Sequence, residues 1–361
     1  MKETLTTVID RIEKDNENKV DYQTFTGNLH MDQNGMLAFK RNALVGGYKK
    51  TDIPFELSDW AEGQILTKLG MPIYYFRKLK KEEPRMYAEH FNYWANREDG
   101  GIRLRARDYG DSGLIRGVVS DAYSPLDNDL VIDMIKDVLV NLPDPEYEID
   151  RFNLDEKFFH LRITYPNSER NLGTLPGDMD GATVDDRDKN RVGTDFMNSE
   201  VGASSLSAAI LIWRLICSNG LKGWGRGDDS FIQRHIHADR RSVFERMKNA
   251  VEKQIYSGSE KLDKFQELKQ FEMQNPFFAI ARLSQNAKHS QNFSEAVKDF
   301  WEGDHSAYGV VNAYTRAANH YEMSLDQRLE VENFAGKLVY LPQRRWQELD
   351  RLPEEEEQIA V

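Results

Sequence analysis

The chain has 361 residues, 40% of them hydrophobic and 30% charged, a globular balance with enough apolar mass for one large or two modest domains. A net charge of −12 argues against a duplex-wrapping architectural protein, although a local basic groove on an acidic chain can still hold nucleic acid. One cysteine, Cys217, excludes an intramolecular disulfide framework; no run approaches the ~20 apolar residues of a membrane span; and the Met-Lys-Glu-Thr-Leu start has no apolar signal segment, so a cytoplasmic protein is expected.

In chain order, residues 1–48 read as a strand-and-turn region with a turn at Gly46-Gly47. From Ser58, the residues Trp60, Ile65 and Leu69 recur at helical spacing until Gly70 and Pro72 stop the helix, and a second helical stretch covers 73–94. Residues 102–107 and 114–120 form a β-hairpin across a loop rich in turn formers. Asp127-Asn128-Asp129 offers caps for a helix with Val131, Met134, Ile135 and Val138 on one face, and strands follow at 147–153 and 158–165. Residues 166–190 show no period and read as a long loop. A short strand at 195–197 then precedes a buried helix over 204–218, with Gly220 as its C-terminal cap. The rest is mostly helical, and Ser324 with Gln327 forms a capping-box signature. The layout predicts an α+β fold: a small mixed or antiparallel sheet over about 100–200 packed with helices, then a helical C-terminal third. It divides into 1–99, 100–228 and 229–350, with an acidic tail over 351–361 that holds Glu354 to Glu357.

Arg103, Arg105 and Arg107 alternate at a strand period and so share one sheet face, which Arg116 on the next strand can join. Tyr123, Tyr109 and Trp94 lie nearby as stacking surfaces, and basic sheets with aromatics grip single strands. Trp224 between glycines, beside Arg226, is a further stacking candidate. Arg234, Arg240, Arg241, Arg246 and Lys248 read as a solvated basic helix face rather than a binding site.

Asn198, Glu200, Arg214, Asn219 and Gly220 admit two readings. In one, Glu200 with Asp121 and Asp127 holds a metal or acts as a base, while Arg214 and Asn219 hold a phosphate or base edge. In the preferred one, Glu200 and Arg214 pair to lock a strand to a helix, and Asn219-Gly220 ends that helix. In either, Arg214 inside an apolar stretch demands an acidic partner. His235, His237 and Asp239 can ligate only from an extended segment, and Asp178, Asp180, Asp185, Asp186 and Asp188 miss the calcium-loop spacing, so no metal or cofactor is expected. A nucleophile elbow, a phosphate-binding loop and a dinucleotide fingerprint are all missing from the sequence.

Four blocks carry a family likeness: Ser58-Asp-Trp-Ala with Gln64 and Leu69-Gly-Met-Pro; Arg116-Gly-Val-Val-Ser-Asp-Ala-Tyr123; Asn198-Ser-Glu-Val-Gly202 leading into Arg214-Leu-Ile-Cys-Ser-Asn-Gly220; and Asn312-Ala-Tyr-Thr-Arg316-Ala-Ala with Ala335-Gly336. In their order and spacing over residues 60–336 the chain resembles the phage/plasmid-like protein family of unknown function, domain of unknown function 932. Ala122 stands where that family's pattern has Arg. The resemblance implies a mobile-element protein in a replication, recombination or defence-related setting. The expected function is a non-enzymatic accessory that binds single-stranded DNA or RNA, with no membrane partner and with self-assembly into oligomers. A metal-dependent nuclease or hydrolase around Glu200 and a host-defence interaction protein are the alternatives.

Overall fold

Thr4 and Thr7 close a capping box that starts α1 (Leu5–Asp15), so a helix precedes the strands expected at the N-terminus. The computed structural model describes residues 3–40, 44–45, 48–49, 53–98, 100–143, 146–174, 187–214, 219–223 and 230–352. Next come β1 (Lys19–Phe25), β2 (Leu29–Met31), β3 (Leu37–Phe39), the small hairpin β4 (Leu44–Val45) and β5 (Tyr48–Lys49), and β6 (Phe55–Leu57). The Ser58 hydroxyl accepts the Ala61 N–H and starts α2 (Asp59–Lys68). The helical stretch expected over 73–94 is two helices, α3 (Ile73–Glu82) and α4 (Pro84–Ala95), because Pro84 lacks an N–H and pushes Glu83 out of helical geometry. The hairpin is present as β7 (Gly101–Asp108) and β8 (Gly113–Ser120).

These strands form a six-stranded mixed sheet, β1-β7-β8-β6-β3-β2, in which β6 and β8 run parallel. One of its faces packs on α2, α3 and α4 around Phe55, Ile65, Tyr87, Phe91 and Leu104. The expected division at residue 99/100 thus falls between elements that share one core.

The second part of the chain starts at α5 (Asn128–Val140), then β9 (Glu148–Leu154), β10 (Phe159–Thr164), β11 (Arg170–Thr174), β12 (Arg187–Asn198), β13 (Leu206–Arg214), β14 (Asn219–Gly223) and β15 (Phe231–Gln233). All the strands pair antiparallel in a seven-stranded sheet whose spine is β14-β13-β12-β10-β9. Six helices complete it: α6 (Arg240–Lys269), α7 (Pro276–Asn286), α8 (Gln291–Asp299), α9 (Ala307–His320), α10 (Leu325–Leu338) and α11 (Gln343–Asp350). The Ser324–Gln327 capping box starts α10 as expected. This sheet shares a second core with α1, α5 and the C-terminal helices.

The fold is α+β; among the described residues it has two large sheets and the β4–β5 hairpin, where one small sheet was expected. The largest correction concerns residues 206–214. They form a strand, not a helix, and Gly220 lies opposite Trp213 in the β13–β14 pairing instead of capping a helix. The run Leu206-Ser-Ala-Ala-Ile-Leu-Ile-Trp is buried on both faces, so its periodicity cannot separate a strand from a helix. Residues 170–174 and 187–190, read as loop, are strand as well. Among the described residues, no helix is long and apolar enough to cross a membrane.

Candidate functional site

Three of the four sequence blocks meet at one turn, Ser199-Glu200-Val201-Gly202, between β12 and β13. The Val201 carbonyl accepts Trp60 Nε1 at 3.0 Å and Gln64 Nε2 at 2.8 Å, while Gln64 Oε1 accepts the Val118 N–H. Tyr123 donates its hydroxyl to the Ser199 and Glu200 carbonyls. Asn198 Nδ2 donates to the Leu126 carbonyl and to Asn128 Oδ1, both at 2.9 Å. Gly117 is required here, because a Cβ would sit 2.7 Å from that of Val201; Gly202 takes φ +75°, which favours glycine.

The Glu200 carboxylate is buried beneath this turn. It accepts Lys19 Nζ and Arg116 Nη2 at 2.8 Å and the Asn128 N–H at 2.9 Å. Burial alone would raise its pKa; the two cations and the N–H outweigh that and pull it down to about 2. Glu200 does not pair with Arg214, contrary to the preferred sequence reading. Arg214 meets Asp188 at 2.8 Å and Glu302 at 2.6 Å, so its demand for an acidic partner is answered elsewhere. Tyr308 and Lys269 also bind Asp188, and Arg316 binds Glu302 beside them. Asn312 lies buried in the same cluster, in side-chain contact with Tyr308. A further buried centre joins Arg162 to Asp195 at 2.7 Å and to Glu332 of α10, with His160 on the same carboxylate.

The hairpin arginines share one face, as their spacing requires, and a bulge places Arg116 among them: Arg105 pairs with Gly117 and Ala106 with Ile115, leaving Arg116 as the extra residue. That face is not an open basic surface. It turns inward, toward carboxylates drawn from other elements. Arg103 and Arg105 meet Asp21 at 3.2 and 3.0 Å, and Arg105 also binds Asp127. Arg107 meets Asp15 at 2.6 Å and Glu156 at 3.0 Å; Arg116 meets Glu156 at 2.6 Å. Tyr123 is buried with them, whereas Tyr109 and Trp94 are exposed. Of the remaining candidates, Trp224, Arg226, Cys217 and the aspartates at 178–186 lie outside the described residues. Asn219 and Gly220 are described only as backbone of β14.

A different basic surface stands open. Residues 231–233 are strand, and the chain bends at His235 before the Ile236 bridge; along it Phe231 and His235 are buried and Ile232, Arg234 and Ile236 exposed. Arg240 and Arg241 are the first residues of α6, behind the Asp239 cap. Further along, Arg246, Asn249, Lys253 and Tyr256 follow 3-4-3 spacing and so form one stripe. Arg246 is held in place over the Phe231 ring and by the Gln233 side chain. With Ser230, Phe231 and Ile232, the start of this stripe lines a depression of about 390 Å³, and Tyr256 beyond it is 72% exposed. Among the described residues, Arg234, Arg240, Arg241 and Lys248 meet no carboxylate within ion-pair distance. In the sequence this run reads as a solvated face; the 3-4-3 stripe ending in Tyr256 is the signal that sets it apart.

A second depression, of about 450 Å³, is lined by residues 234–236 together with Val118, Val119, Tyr123 and Gly202 to Ser205. His235 lines it, stacked on Tyr123 with ring centroids 5.0 Å apart and planes at 8°. As for hydrolytic chemistry, Asp121 is exposed, Asp127 is committed to Arg105, and Glu200 is saturated by cations and an N–H. Among the described residues, no three His, Cys, Asp or Glu side chains gather as metal ligands.

No protein-family model matches the chain, and neither a curated protein nor a solved structure matches it significantly.

Proposed function

We propose that the protein binds single-stranded nucleic acid through the surface formed by residues 230–256, as a non-enzymatic accessory of replication or recombination in the mobile-element setting that the family likeness implies. The observation that carries this reading is the set of exposed arginines in that segment. Residues 230–256 hold six Lys or Arg against three Asp or Glu, in a chain of net charge −12, and its arginines stand exposed and meet no carboxylate among the described residues, while those of the hairpin are neutralised.

Arg240 and Arg241 support it from a second direction. At a helix N-terminus the macrodipole favours anions, so two cations there are disfavoured by about 0.3–1 kcal/mol each, which the Asp239 cap carboxylate offsets in part and a bound anion would offset further. Such local disfavour is expected where a residue serves a ligand. Tyr256 and the alkyl surfaces of Ile232 and Ile236 offer sequence-tolerant contacts to bases. The hydrolase alternative has less support, because Glu200 is already saturated by Lys19, Arg116 and the Asn128 N–H.

The test is a salt titration of binding to single- and double-stranded oligonucleotides, with and without divalent metal. Single-strand preference is expected, with log affinity falling linearly against log salt. An R246A/K253A variant should lose affinity and reduce that slope by about 1.4, at about 0.7 per phosphate contact. A wild type that binds no oligonucleotide at low salt ends the proposal, as does a double variant that binds as tightly as wild type.

A further inference from the structure

The depression beside residues 234–236 contains polar groups that the fold leaves unanswered. His235 is only 5% exposed, and neither ring nitrogen has a hydrogen-bond partner of good geometry, although the Ser124 backbone lies close enough to favour its proton. The Ser204 hydroxyl oxygen, which belongs to the same lining, is also buried and unpartnered. A buried polar group without a partner costs about 1–3 kcal/mol. Both residues line one depression of about 450 Å³, so a single ligand there would answer both.

The chemistry of that ligand follows from the groups present. Burial and the nearby Arg105 guanidinium hold the His235 pKa down to about 4, so its imidazole is neutral and offers one donor and one acceptor. A neutral donor–acceptor pair matches the polar edge of an uncharged planar group, not a phosphate. Val118, Val119 and Ile236 provide apolar walls for the faces of such a group. At the mouth, Arg234 is exposed and has no carboxylate partner among the described residues, which suits an anion attached to the planar group.

We propose that this depression takes a single nucleotide: its base sits against His235 and Ser204, and its phosphate lies at Arg234. The proposal rests on the single-strand reading in that the nucleotide is one unit of the bound strand, turned out of the run that follows α6. It adds a pocket for the polar edge of a base to a surface whose other contacts, to the backbone and to base faces, are sequence-tolerant.

Isothermal titration of the full chain with the nucleoside 5′-monophosphates, with the corresponding nucleosides, and with ribose 5-phosphate tests it. Wild type should bind at least one monophosphate, its nucleoside more weakly, and ribose 5-phosphate at least tenfold more weakly. H235F keeps the ring stacked on Tyr123 but removes both nitrogens, and should weaken the monophosphate at least tenfold. S204A should weaken it several-fold. R234A should weaken the monophosphate while leaving the nucleoside unchanged. Circular dichroism and thermal melts establish that each variant is folded; if H235F is not, S204A and R234A decide the matter. The proposal fails if wild type binds no nucleotide at millimolar concentration, if ribose 5-phosphate binds as well as the monophosphate, or if the folded variants bind like wild type. R246A/K253A separates the two readings: it should lose oligonucleotide affinity and keep the monophosphate. Monophosphate binding without oligonucleotide binding overturns the strand reading alone, and the reverse overturns the pocket alone.

Discussion

The hairpin of β7 and β8 and the segment entering α6 are both rich in arginine, and the fold uses them in opposite ways. Arg105, Arg107 and Arg116 are buried, each against two carboxylate groups from other elements. Arg234, Arg240 and Arg241 are exposed and meet none among the described residues. Arginine count and spacing are therefore silent on role; the location of the counter-charges decides it. A buried guanidinium with carboxylates on several sides joins parts of the fold, and an exposed one with none is available to a ligand.

Substitutions on each side should break this contrast if it is wrong. The largest effect is expected at Glu200. E200A leaves the part-buried Lys19 and the buried Arg116 around a missing charge and should cost about 3–5 kcal/mol in urea unfolding. Oligonucleotide affinity of the folded fraction should stay as in wild type. Loss of binding without loss of stability would return Glu200 to a functional role.

Acid should act on the same region from two groups with one sign. The unfolded His235 takes a proton near 6.5 and the folded one near 4, so the unfolded state binds more protons between those values and stability falls as pH drops through that window. Glu200 is held near 2 against an ordinary 4.5, so its contribution is present above 4.5 and is lost as pH falls from there toward 2. Unfolding free energy measured from pH 7 to 3 should decline across both windows, and H235F should flatten only the upper one. Occupation of the pocket by a neutral ligand should deepen that upper decline, because protonation would then also expel the ligand.

The smallest effect carries the sharpest sign. R240E/R241E replaces two cations by anions at the start of α6 and should stabilise the protein by about 0.3–1 kcal/mol per site while weakening oligonucleotide binding. Thermal melts and the salt titration on one preparation check both directions. If stability falls, the arginines have a structural partner and the contrast with the hairpin collapses.

Much of the fold is legible in the sequence, and the failures have physical causes. The hairpin, α5, β9, β10 and the Ser324 capping box follow from alternation, helical spacing and short-range caps, all of which act over a few residues. Leu206–Arg214 fails because a strand buried on both faces has no polar period to betray it. The spacing of Arg103, Arg105 and Arg107 correctly gives a shared face but cannot tell which side of the sheet is covered. The answer depends on Asp15, Asp21, Asp127 and Glu156, which join that face only after the chain has folded. Arg214 shows the reverse case: burial physics demands an acidic partner, and only its identity, Asp188 and Glu302 instead of Glu200, requires the structure. His235 stands out in the sequence solely as a metal ligand, since nothing in its neighbours announces an unpartnered imidazole.

The Ser199–Gly202 turn also bears on the order of events in folding. Its contacts come from Lys19, Trp60, Arg116 and Asn128, so each closes a loop of roughly 70 to 180 residues, and loop closure of that length comes late. The two cores can gain most of their local pairing before this turn closes between them. Contacts absent from the transition state set the escape rate from the native state, not the approach to it. Stopped-flow measurements on E200A should therefore show unfolding accelerated by most of the lost stability, with refolding close to wild type. The turn works as a latch: it adds little to how fast the protein forms and much to how long it lasts.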